Sequence, residues 1–326
     1  MTNTVRFARG ERKSGTGAPT PAAKGATMKK QPVTISVGEV LWDMLPDGKA
    51  LGGSPTNVAW HMAQLGAEAH VVTAVGKDPL GDEILRILGA MPLHIDTISV
   101  IGGRPTSTVD AVLDGNGNAT YVFHEDEAWD FLPATPEALA LAARAKGVNF
   151  GSLSQRSPRA QEATFSILDA TPAECIRVFD INLRPPFVEE RLLVGGMRRA
   201  VVLKMNDDEL PMVAKVFGWD VDPEAAIAKL FEKFPNLKHI VVTRGPRGAW
   251  WHNKRRFIEK TPDDDIKKVD TIGAGDSFTA SILMGLLKGW DEDAIMDNAL
   301  EIANFVCTQR GGTPELPDAL KAPFLA

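Results

Sequence analysis

The sequence predicts an α/β fold in which helices cover both faces of a mostly parallel β-sheet. Along most of the chain, short apolar runs typical of buried strands alternate with segments of helical periodicity. Polar residues follow the ends of several of these runs, as expected where parallel strands end at a ligand site. A hairpin pattern between residues 106 and 124 interrupts the alternation and predicts a small separate sheet. The length of 326 residues suits one large domain or two small ones.

Turn and capping residues divide the first part of the chain. Ser54-Pro55 is a good N-cap followed by a first helical position, Gly66 is a good C-terminal stop, and Asp78-Pro79 repeats the helix start. These signals predict a strand over 33–41, a helix over 55–65, a strand over 70–75 and a helix over 79–88. Later strands are predicted over 148–153, 177–181, 200–205 and 239–242.

The interrupting hairpin has strong turn chemistry. Two β-rich runs, 108–113 and 119–123, are joined by Asp114-Gly115-Asn116-Gly117. The sequence predicts that the hairpin forms an inserted flap.

Composition excludes several classes of protein. The net charge of −6 argues against nucleic-acid binding. No apolar stretch approaches the ~20 residues that a membrane span requires. Cys175 and Cys307 lie in apolar contexts and are predicted to be buried free thiols in a reducing cytoplasm. A cytoplasmic protein with neither a nucleic-acid nor a membrane partner is therefore expected.

Residues 1 to about 30 differ from the rest of the chain. They are rich in Gly, Ala, Thr, Lys and Arg and contain almost no large apolar side chains. This composition predicts a disordered N-terminal tail, residues 1–30, before a folded domain over 31–326. A targeting peptide and a translation start at Met28 remain alternatives.

The segment Asp270-Thr271-Ile272-Gly273-Ala274-Gly275-Asp276-Ser277-Phe278 carries the strongest functional signal. A glycine-rich turn leads into a helix, whose first N–H groups and dipole form an anion site. Asp276 at this junction can accept a proton from a hydroxyl as a phosphate arrives. A helix-capping carboxylate is the simpler interpretation. No P-loop and no G-x-G-x-x-G after a strand accompanies it.

This segment resembles the C-terminal signature of the ribokinase-like (PfkB-type) sugar kinases. Gly52-Gly53-Ser54-Pro55-Thr56-Asn57 resembles the sugar-binding motif of the family, and Gly76-Lys77-Asp78-Pro79-Leu80-Gly81 resembles the signature after it. Order and spacing agree over about residues 33 to 320. The resemblance implies a ribokinase-like three-layer α/β/α domain with a small β-sheet lid, built from segments near 42–54 and 104–127.

The resemblance also implies an ATP-dependent enzyme with Mg²⁺ and a sugar as partners. It makes Asp276 the catalytic base, with Gly273, Ala274 and Gly275 around the transferring phosphoryl group. The implied sugar-binding residues are Asp43, Gly52, Gly53, Asn57, Phe123 and Arg184. The implied nucleotide-site residues are Asn206, Glu209, Thr243, Gly245 and Asn304.

Two metal sites follow from the same resemblance. Glu209, in the run Asn206-Asp207-Asp208-Glu209, is implied to reach Mg²⁺ through water, although the run is also a good helix N-terminus. Asp270 matches a position that helps to hold a monovalent cation, with Gly311-Gly312-Thr313 closing that loop. Because Ile272 stands where the ribokinase branch carries a polar residue, potassium is only a possible cofactor.

The substrate suggested by the sequence is fructose. Gly38-Glu39-Val40-Leu41-Trp42-Asp43 resembles the opening of fructokinases. The segment from Asp180 to Arg184 resembles both fructokinases and 2-keto-3-deoxygluconate kinases, and strand alternation predicts Asp180, Asn182 and Arg184 on one side. Keto-deoxygluconate, ribose or a nucleoside are alternatives. A keto-acid substrate would need a second cation besides Arg184, and Arg104 is the one obvious candidate in the lid. A non-catalytic sugar sensor is a further alternative, and the exposed hairpin suggests a homodimer through the lid.

Overall fold

A computed structural model describes residues 30–45, 48–113, 119–262 and 267–326, without the side chains of 111–113 and 119–121. Its strands, in chain order, are β1 Val33–Val37, β2 Leu41–Leu45, β3 Gly48–Gly52, β4 Glu68–Val72, β5 Ala74–Gly76, β6 Ser99–Ile101, β7 Thr108–Leu113, β8 Ala119–Phe123, β9 Gly147–Phe150, β10 Ile176–Asp180, β11 Val202–Asn206, β12 His239–Thr243, β13 Ala249–Asn253 and β14 Phe257–Lys260. Its helices are α1 Ser54–Gln64, α2 Pro79–Gly89, α3 Pro136–Ala142, α4 Pro158–Asp169, α5 Glu190–Met197, α6 Glu209–Val216, α7 Pro223–Lys233, α8 Ala274–Leu287, α9 Glu292–Cys307 and α10 Asp318–Leu325.

The main sheet has eight strands in the order β14-β13-β12-β11-β10-β9-β1-β4. The six strands from β12 to β4 are parallel to one another, whereas β13 and β14 are antiparallel to their neighbours. The carboxyl ends of the parallel strands therefore lie along one edge of the sheet, as the sequence predicts.

Two apolar cores lie on opposite faces of this sheet. Because strand side chains alternate, Phe179, Leu203 and Ile240 belong to one core, whereas the preceding Val178 and Val202 belong to the other. The first core includes residues of α3 to α7, and the second includes residues of α1, α2, α8, α9 and α10. The result is the three-layer α/β/α arrangement that the sequence predicts.

A second sheet of four strands, in the order β3-β2-β7-β8, is built from the two segments predicted to form a lid. β2 is antiparallel to β3 and parallel to β7, and β7 and β8 form the predicted antiparallel hairpin. The predicted turn residues of the hairpin, 114–117, lie outside the described residues.

Two predicted strands are shared between sheets, which is a correction to their predicted bounds. The apolar run 33–41 leaves the main sheet after Val37 and enters the small sheet at Leu41. The run 70–75 likewise divides into β4 and β5, and β5 pairs with β6 instead of continuing in the main sheet. Continuous apolar patterning cannot show such a change of partner, because both halves are buried.

The helix starts follow the predicted signals with one exception. Asp78 caps α2, since its side chain accepts a hydrogen bond from the Gly81 N–H at 2.8 Å. Ser54, predicted as an N-cap, is the first residue of α1, and Gly53 occupies the cap position without a side-chain cap. The Ser54 hydroxyl instead takes part in the candidate site.

Within the described residues, no helix is both long enough and apolar enough to cross a membrane. Cys175 and Cys307 are buried and unpaired, as predicted.

Candidate active site

The glycine-rich turn before α8 is held by close backbone packing. Gly273 occupies the cap position of α8 in a left-handed conformation, with φ at 76°. A Cβ atom at this position would lie 2.4 Å from the Cα of Gly312. Only glycine satisfies both the conformation and the contact. The first turn of α8, including Ala274 and Gly275, therefore presents its N–H groups at a fixed position.

Asp276 lies in this first turn, and its carboxylate has two side-chain partners. The Ser54 hydroxyl donates to Oδ1 at 2.6 Å, and Asn57 Nδ2 donates to Oδ2 at 2.8 Å. Burial raises the pKa of the Asp276 carboxyl above its usual value, and these two hydrogen bonds oppose the shift. The carboxylate is therefore oriented by α1 instead of capping α8, and each oxygen keeps lone pairs for a further donor.

Asn57, predicted as a sugar ligand, thus contacts the predicted base directly. Its amide group also lies against Gly312, where an added Cβ atom would be 2.7 Å from Nδ2. On the same helix, His61 Nε2 lies 3.0 Å from the Gly312 carbonyl oxygen. Burial lowers the pKa of His61 to about 4, so its neutral ring donates this bond at physiological pH. Helix α1 therefore holds both Asp276 and the loop behind the glycine turn.

The small sheet places Asp43 and Phe123 on one face. Asp43 is paired with Val109 on β7, and Val109 is paired with Phe123 on β8. Paired residues of neighbouring strands point to the same side of a sheet. Both side chains are half-buried. The structure thus brings two predicted sugar-binding residues together across three strands.

The two glycines at the end of β3, Gly52 and Gly53, make room for this arrangement. A Cβ atom at Gly52 would lie 2.4 Å from Asp43 Oδ2, and one at Gly53 would lie 2.5 Å from the Glu39 carbonyl oxygen. Gly53 also has a positive φ of 110°. Larger residues at these positions would displace the Asp43 carboxylate or the chain around Glu39.

Arg184 provides positive charge on the same side of the site. It forms no ion pair within 4.0 Å among the described residues, and its Nη1 donates to the Leu183 carbonyl oxygen at 3.1 Å. Its charge nevertheless lowers the pKa of both Asp43 and Glu39, opposing the larger effect of burial. The guanidinium is therefore near both carboxyl groups and remains available for a ligand.

The predicted alignment of Asp180 and Asn182 with Arg184 is wrong. β10 ends at Asp180, and Asn182 has a left-handed φ of 40°, so strand alternation does not continue to Arg184. Asp180 is buried and accepts hydrogen bonds from Lys204 and Thr279. Asp180 is therefore part of an internal cluster below the site.

Glu39 is a buried carboxyl group to which the sequence pattern assigns no role. It is 4% exposed, and its Oε2 has no hydrogen-bond partner among the described residues. Burial raises its pKa to about 7; Asp276 adds to the rise, whereas Arg184 and Arg156 oppose it. Glu39 thus lies among the charges of the site and changes ionisation near neutral pH.

We expect this group to make stability depend on pH. The folded-state pKa of about 7 exceeds the ordinary glutamate value of 4.5 that holds in the unfolded chain, so the protein loses stability as pH rises between these values. Glu39→Gln removes the titrating group, so the variant does not lose this stability. The free energy of unfolding of the variant minus that of wild type should therefore be about 3 kcal/mol larger at pH 8 than at pH 4. Urea titrations of both proteins across this range measure the difference. A difference that does not change with pH would contradict the assignment.

Asn206 and Glu209 form a reciprocal hydrogen-bonded pair at the end of β11. The Glu209 N–H donates to Asn206 Oδ1 at 2.8 Å, and Glu209 Oε2 accepts from the Asn206 N–H at 2.7 Å. Glu209 Oε1 also accepts from the Leu183 N–H at 2.6 Å. Both carboxylate oxygens of Glu209 thus accept hydrogen bonds from backbone N–H groups, although each oxygen has a second lone pair. A contact with Mg²⁺ through water remains a prediction.

A cleft of about 460 Å³ lies beside the first turn of α8. It brings together Thr243 and Gly245 from the end of β12, Asn304 from α9, and Ala274 and Gly275 from the turn. Five predicted residues from three distant segments therefore line one cavity, whereas the predicted residues Asn206, Glu209 and Gly273 are not among its lining residues. The remaining lining residues are Pro246, Gly248, Pro262, Lys268, Thr271, Phe278, Leu300, Ala303 and Cys307.

Most of these remaining residues were not predicted. Leu300, Ala303 and Cys307 lie on the same face of α9 as Asn304, at helical spacing. In the sequence this spacing indicates only a buried helix face. The chemistry fits a nucleotide, because apolar walls suited to a base and a helix N-terminus suited to phosphates share the cleft.

Asp270 ties the glycine turn to the last loop of the domain. Its Oδ1 accepts from the Ile272 N–H at 2.9 Å, and its Oδ2 accepts from the Gly311 N–H at 3.1 Å. Of residues 311–313, which were predicted to close this loop, Gly311 contacts Asp270 through its backbone N–H. The side chain of Ile272 is 48% exposed. A cation at Asp270 remains a prediction.

The fold and this site define a class of protein: an α/β enzyme in which a buried carboxylate stands beside a helix N-terminus and a nucleotide-sized cleft. Residues 47–319 match the family model described as pfkB family carbohydrate kinase, and the chain belongs to this family. The family and the fold class predicted from the sequence are therefore confirmed.

Individual relatives and solved structures are similar to this chain over most of its length. A probable fructokinase-5 of Arabidopsis thaliana is 28% identical over 324 residues, which cover 91% of this chain and 98% of the relative. Among solved structures, the fructokinase of Xylella fastidiosa with bound ATP has a TM-score of 0.77 at 22% identity, with 90% of this chain and 98% of that chain covered. A putative ribokinase II of E. coli in complex with ATP and Mg²⁺ has a TM-score of 0.76 at 19% identity, with coverages of 90% and 99%.

Proposed function

We propose that the protein transfers the γ-phosphoryl group of ATP to a primary hydroxyl of a monosaccharide, and that this sugar is fructose. The observation that carries the proposal is the position of Asp276. Its carboxylate lies in the first turn of α8, and two residues of that turn, Ala274 and Gly275, line the cleft. The hydrogen-bond partners of the carboxylate come from α1, which directly follows strand β3 of the small sheet. This position supports a role for one carboxylate between a bound nucleotide and a bound sugar.

In this reaction Asp276 accepts the proton of the attacking hydroxyl. Its two hydrogen bonds, from Ser54 and Asn57, orient the carboxylate without neutralising it. The hydroxyl oxygen forms the new bond to phosphorus as the bond to ADP breaks. N–H groups of the α8 first turn, near Gly273 and Gly275, stabilise the charge on the transferring phosphoryl group.

The sugar is held from the other side. The Asp43 carboxylate accepts hydrogen bonds from vicinal hydroxyls, Phe123 on the same sheet face packs on the ring, and Arg184 supplies donors. Closure of the small sheet over the sugar would exclude water and limit hydrolysis of ATP.

Mg²⁺ would be held near Asn206 and Glu209 through water, and when bound it neutralises charge on the nucleotide phosphates. The free lone pairs of the Glu209 oxygens permit such contacts. Potassium at Asp270 is proposed only as an activator.

Fructose is favoured over a keto acid by the fructokinase relative and by the state of Arg104. Arg104 stacks on Phe131, with 3.9 Å between the guanidinium carbon and the ring centroid, and its Nη1 lies 3.5 Å from Asp126 Oδ1. The cation that a keto acid would require besides Arg184 is therefore engaged elsewhere.

The proposal is tested by ADP release from Mg-ATP with fructose, ribose, keto-deoxygluconate, glucose and adenosine, each with and without potassium. We expect turnover on fructose to exceed turnover on every other compound. Greater turnover on another sugar would keep the reaction and replace the substrate. Binding of fructose without turnover on any compound would instead support a sugar sensor.

A cytoplasmic location and a homodimer through the small sheet belong to the same proposal. Val122 on the edge strand β8 is 42% exposed, which leaves an apolar side chain available for a second copy. Cell fractionation tests the location. A monomeric mass by light scattering at micromolar concentration would refute the dimer.

A further inference from the structure

A buried ammonium group lies directly behind the glycine turn. Lys204 is on β11, in the interior of the main sheet, and is 6% exposed. Its Nζ lies 3.0 and 3.1 Å from the two carboxylate oxygens of Asp180 on β10. A charged pair in such a place is expensive to desolvate, and apolar residues often hold a sheet equally well. Because β10 and β11 are already joined by backbone hydrogen bonds, a second function is expected of this ion pair.

A third residue connects this pair to α8. The Thr279 hydroxyl donates to Asp180 Oδ2 at 2.7 Å, and both residues are buried. Thr279 follows Asp276 by three residues, so the two side chains are neighbours on the helix surface. Lys204, Asp180 and Thr279, which we call the lysine cluster, thus link β10, β11 and the start of α8.

The ammonium group also lies next to the turn itself. A Cβ atom at Gly275 would lie 3.2 Å from Lys204 Nζ, so the ammonium group occupies the space beside this glycine. On the cleft side of the same backbone, Ala274 and Gly275 line the predicted phosphoryl site. A positive charge therefore lies beside the turn that is proposed to bind the phosphoryl group, and it adds to the field of the N–H groups of that turn.

We propose that Lys204 is a positioning residue for phosphoryl transfer: held by Asp180 and Thr279, its ammonium group fixes the first turn of α8 and strengthens the anion site of that turn. The inference rests on the proposed function and adds a residue from the middle of the sheet to that site. The charged groups that act on Lys204 are Asp180, Glu209 and Asp276, and those that act on Asp276 include Asp180 and Lys204.

The test variant is Lys204→Met combined with Asp180→Asn, which removes both charges together and avoids leaving one buried alone. We expect kcat to fall at least about tenfold, while the calorimetric Kd for the sugar in the absence of nucleotide stays within twofold. The affinity for a non-hydrolysable ATP analogue with an imido bridge should fall at least about fivefold, while the affinity for ADP stays within twofold. If the pair were purely structural, its removal would change neither the ratio of kcat to sugar affinity nor the ratio of analogue affinity to ADP affinity.

A second variant keeps the test decisive if the double variant does not fold. Thr279→Val removes only the hydroxyl that links Asp180 to α8, and Thr164→Val, at a buried position of α4, is its matched control. For the Thr279 variant we expect a several-fold fall in kcat and a several-fold fall in the ratio of analogue affinity to ADP affinity. The Thr164 variant should match wild type in both quantities. Wild-type values of kcat and of this ratio in a folded variant would overturn the inference. If the wild type phosphorylates no sugar, the proposed function fails, whereas the affinity ratio still decides the role of Lys204.

Discussion

Replacement of Asp276 by asparagine is expected to lower kcat by about 10³-fold, because the amide cannot accept the proton of the sugar hydroxyl. The sugar Kd should change little, since asparagine preserves the shape of the side chain. Its amide oxygen can accept from Asn57 Nδ2, and its NH2 group can donate to the Ser54 hydroxyl, which then acts as the acceptor. Steady-state kinetics with the best sugar of the panel, together with calorimetric binding, separates the two effects.

Asp291→Asn is the matched control for this change. Asp291 also stands at a helix start, where its side chain accepts from the Ala294 N–H at 2.9 Å, and asparagine caps helices equally well. This variant should keep the wild-type kcat. If Asp276→Asn retains most of the activity, Asp276 is not the base and the proposed mechanism fails.

The second large effect is expected at Gly273. Alanine at this position must adopt the left-handed conformation and would also place its Cβ atom 2.4 Å from the Gly312 Cα, so one of the two loops has to move. We expect a loss of unfolding free energy of about 3 kcal/mol and a fall in kcat of at least about 10²-fold, because the anion site is built on this turn.

Gly289→Ala separates strain from contact. Gly289 follows the same helix at its other end and has a φ of 70°, and no atom of the described residues lies within 4 Å of an added Cβ atom. This control should lose only about 1 kcal/mol and keep its kcat. Denaturant unfolding and kinetics of both variants give the comparison. Equal effects at the two glycines would show that Gly312 does not restrict the turn.

The elements of the fold were predictable wherever local chemistry decides them. The capping residue Asp78, the stop at Gly66 and the alternation of buried runs depend on neighbours in the chain, and the structure confirms them. The bounds of β1 and β4 were not predictable, because a buried run reads the same whether it continues in one sheet or passes to another.

The chemistry of the site divides in the same way. The glycine turn and Asp276 are adjacent in sequence, so their association with a helix start is a local property. The partners of Asp276 are not local: Ser54 lies 222 residues away and Asn57 lies 219 residues away. The Ser54-Pro55 pair predicts that Ser54 caps α1, but Ser54 is the first residue of that helix and its hydroxyl binds Asp276 instead.

By itself, then, the sequence determined the α/β order, the small inserted sheet, the family and the segments that carry the glycines and the carboxylate. Tertiary structure alone decided which side chains orient Asp276, why Asp180 turns away from the site toward Lys204, and why Glu39 titrates near neutral pH. The physical reason is that conformational preference and patterning act between residues close in the chain, whereas desolvation and charge act between residues close in space.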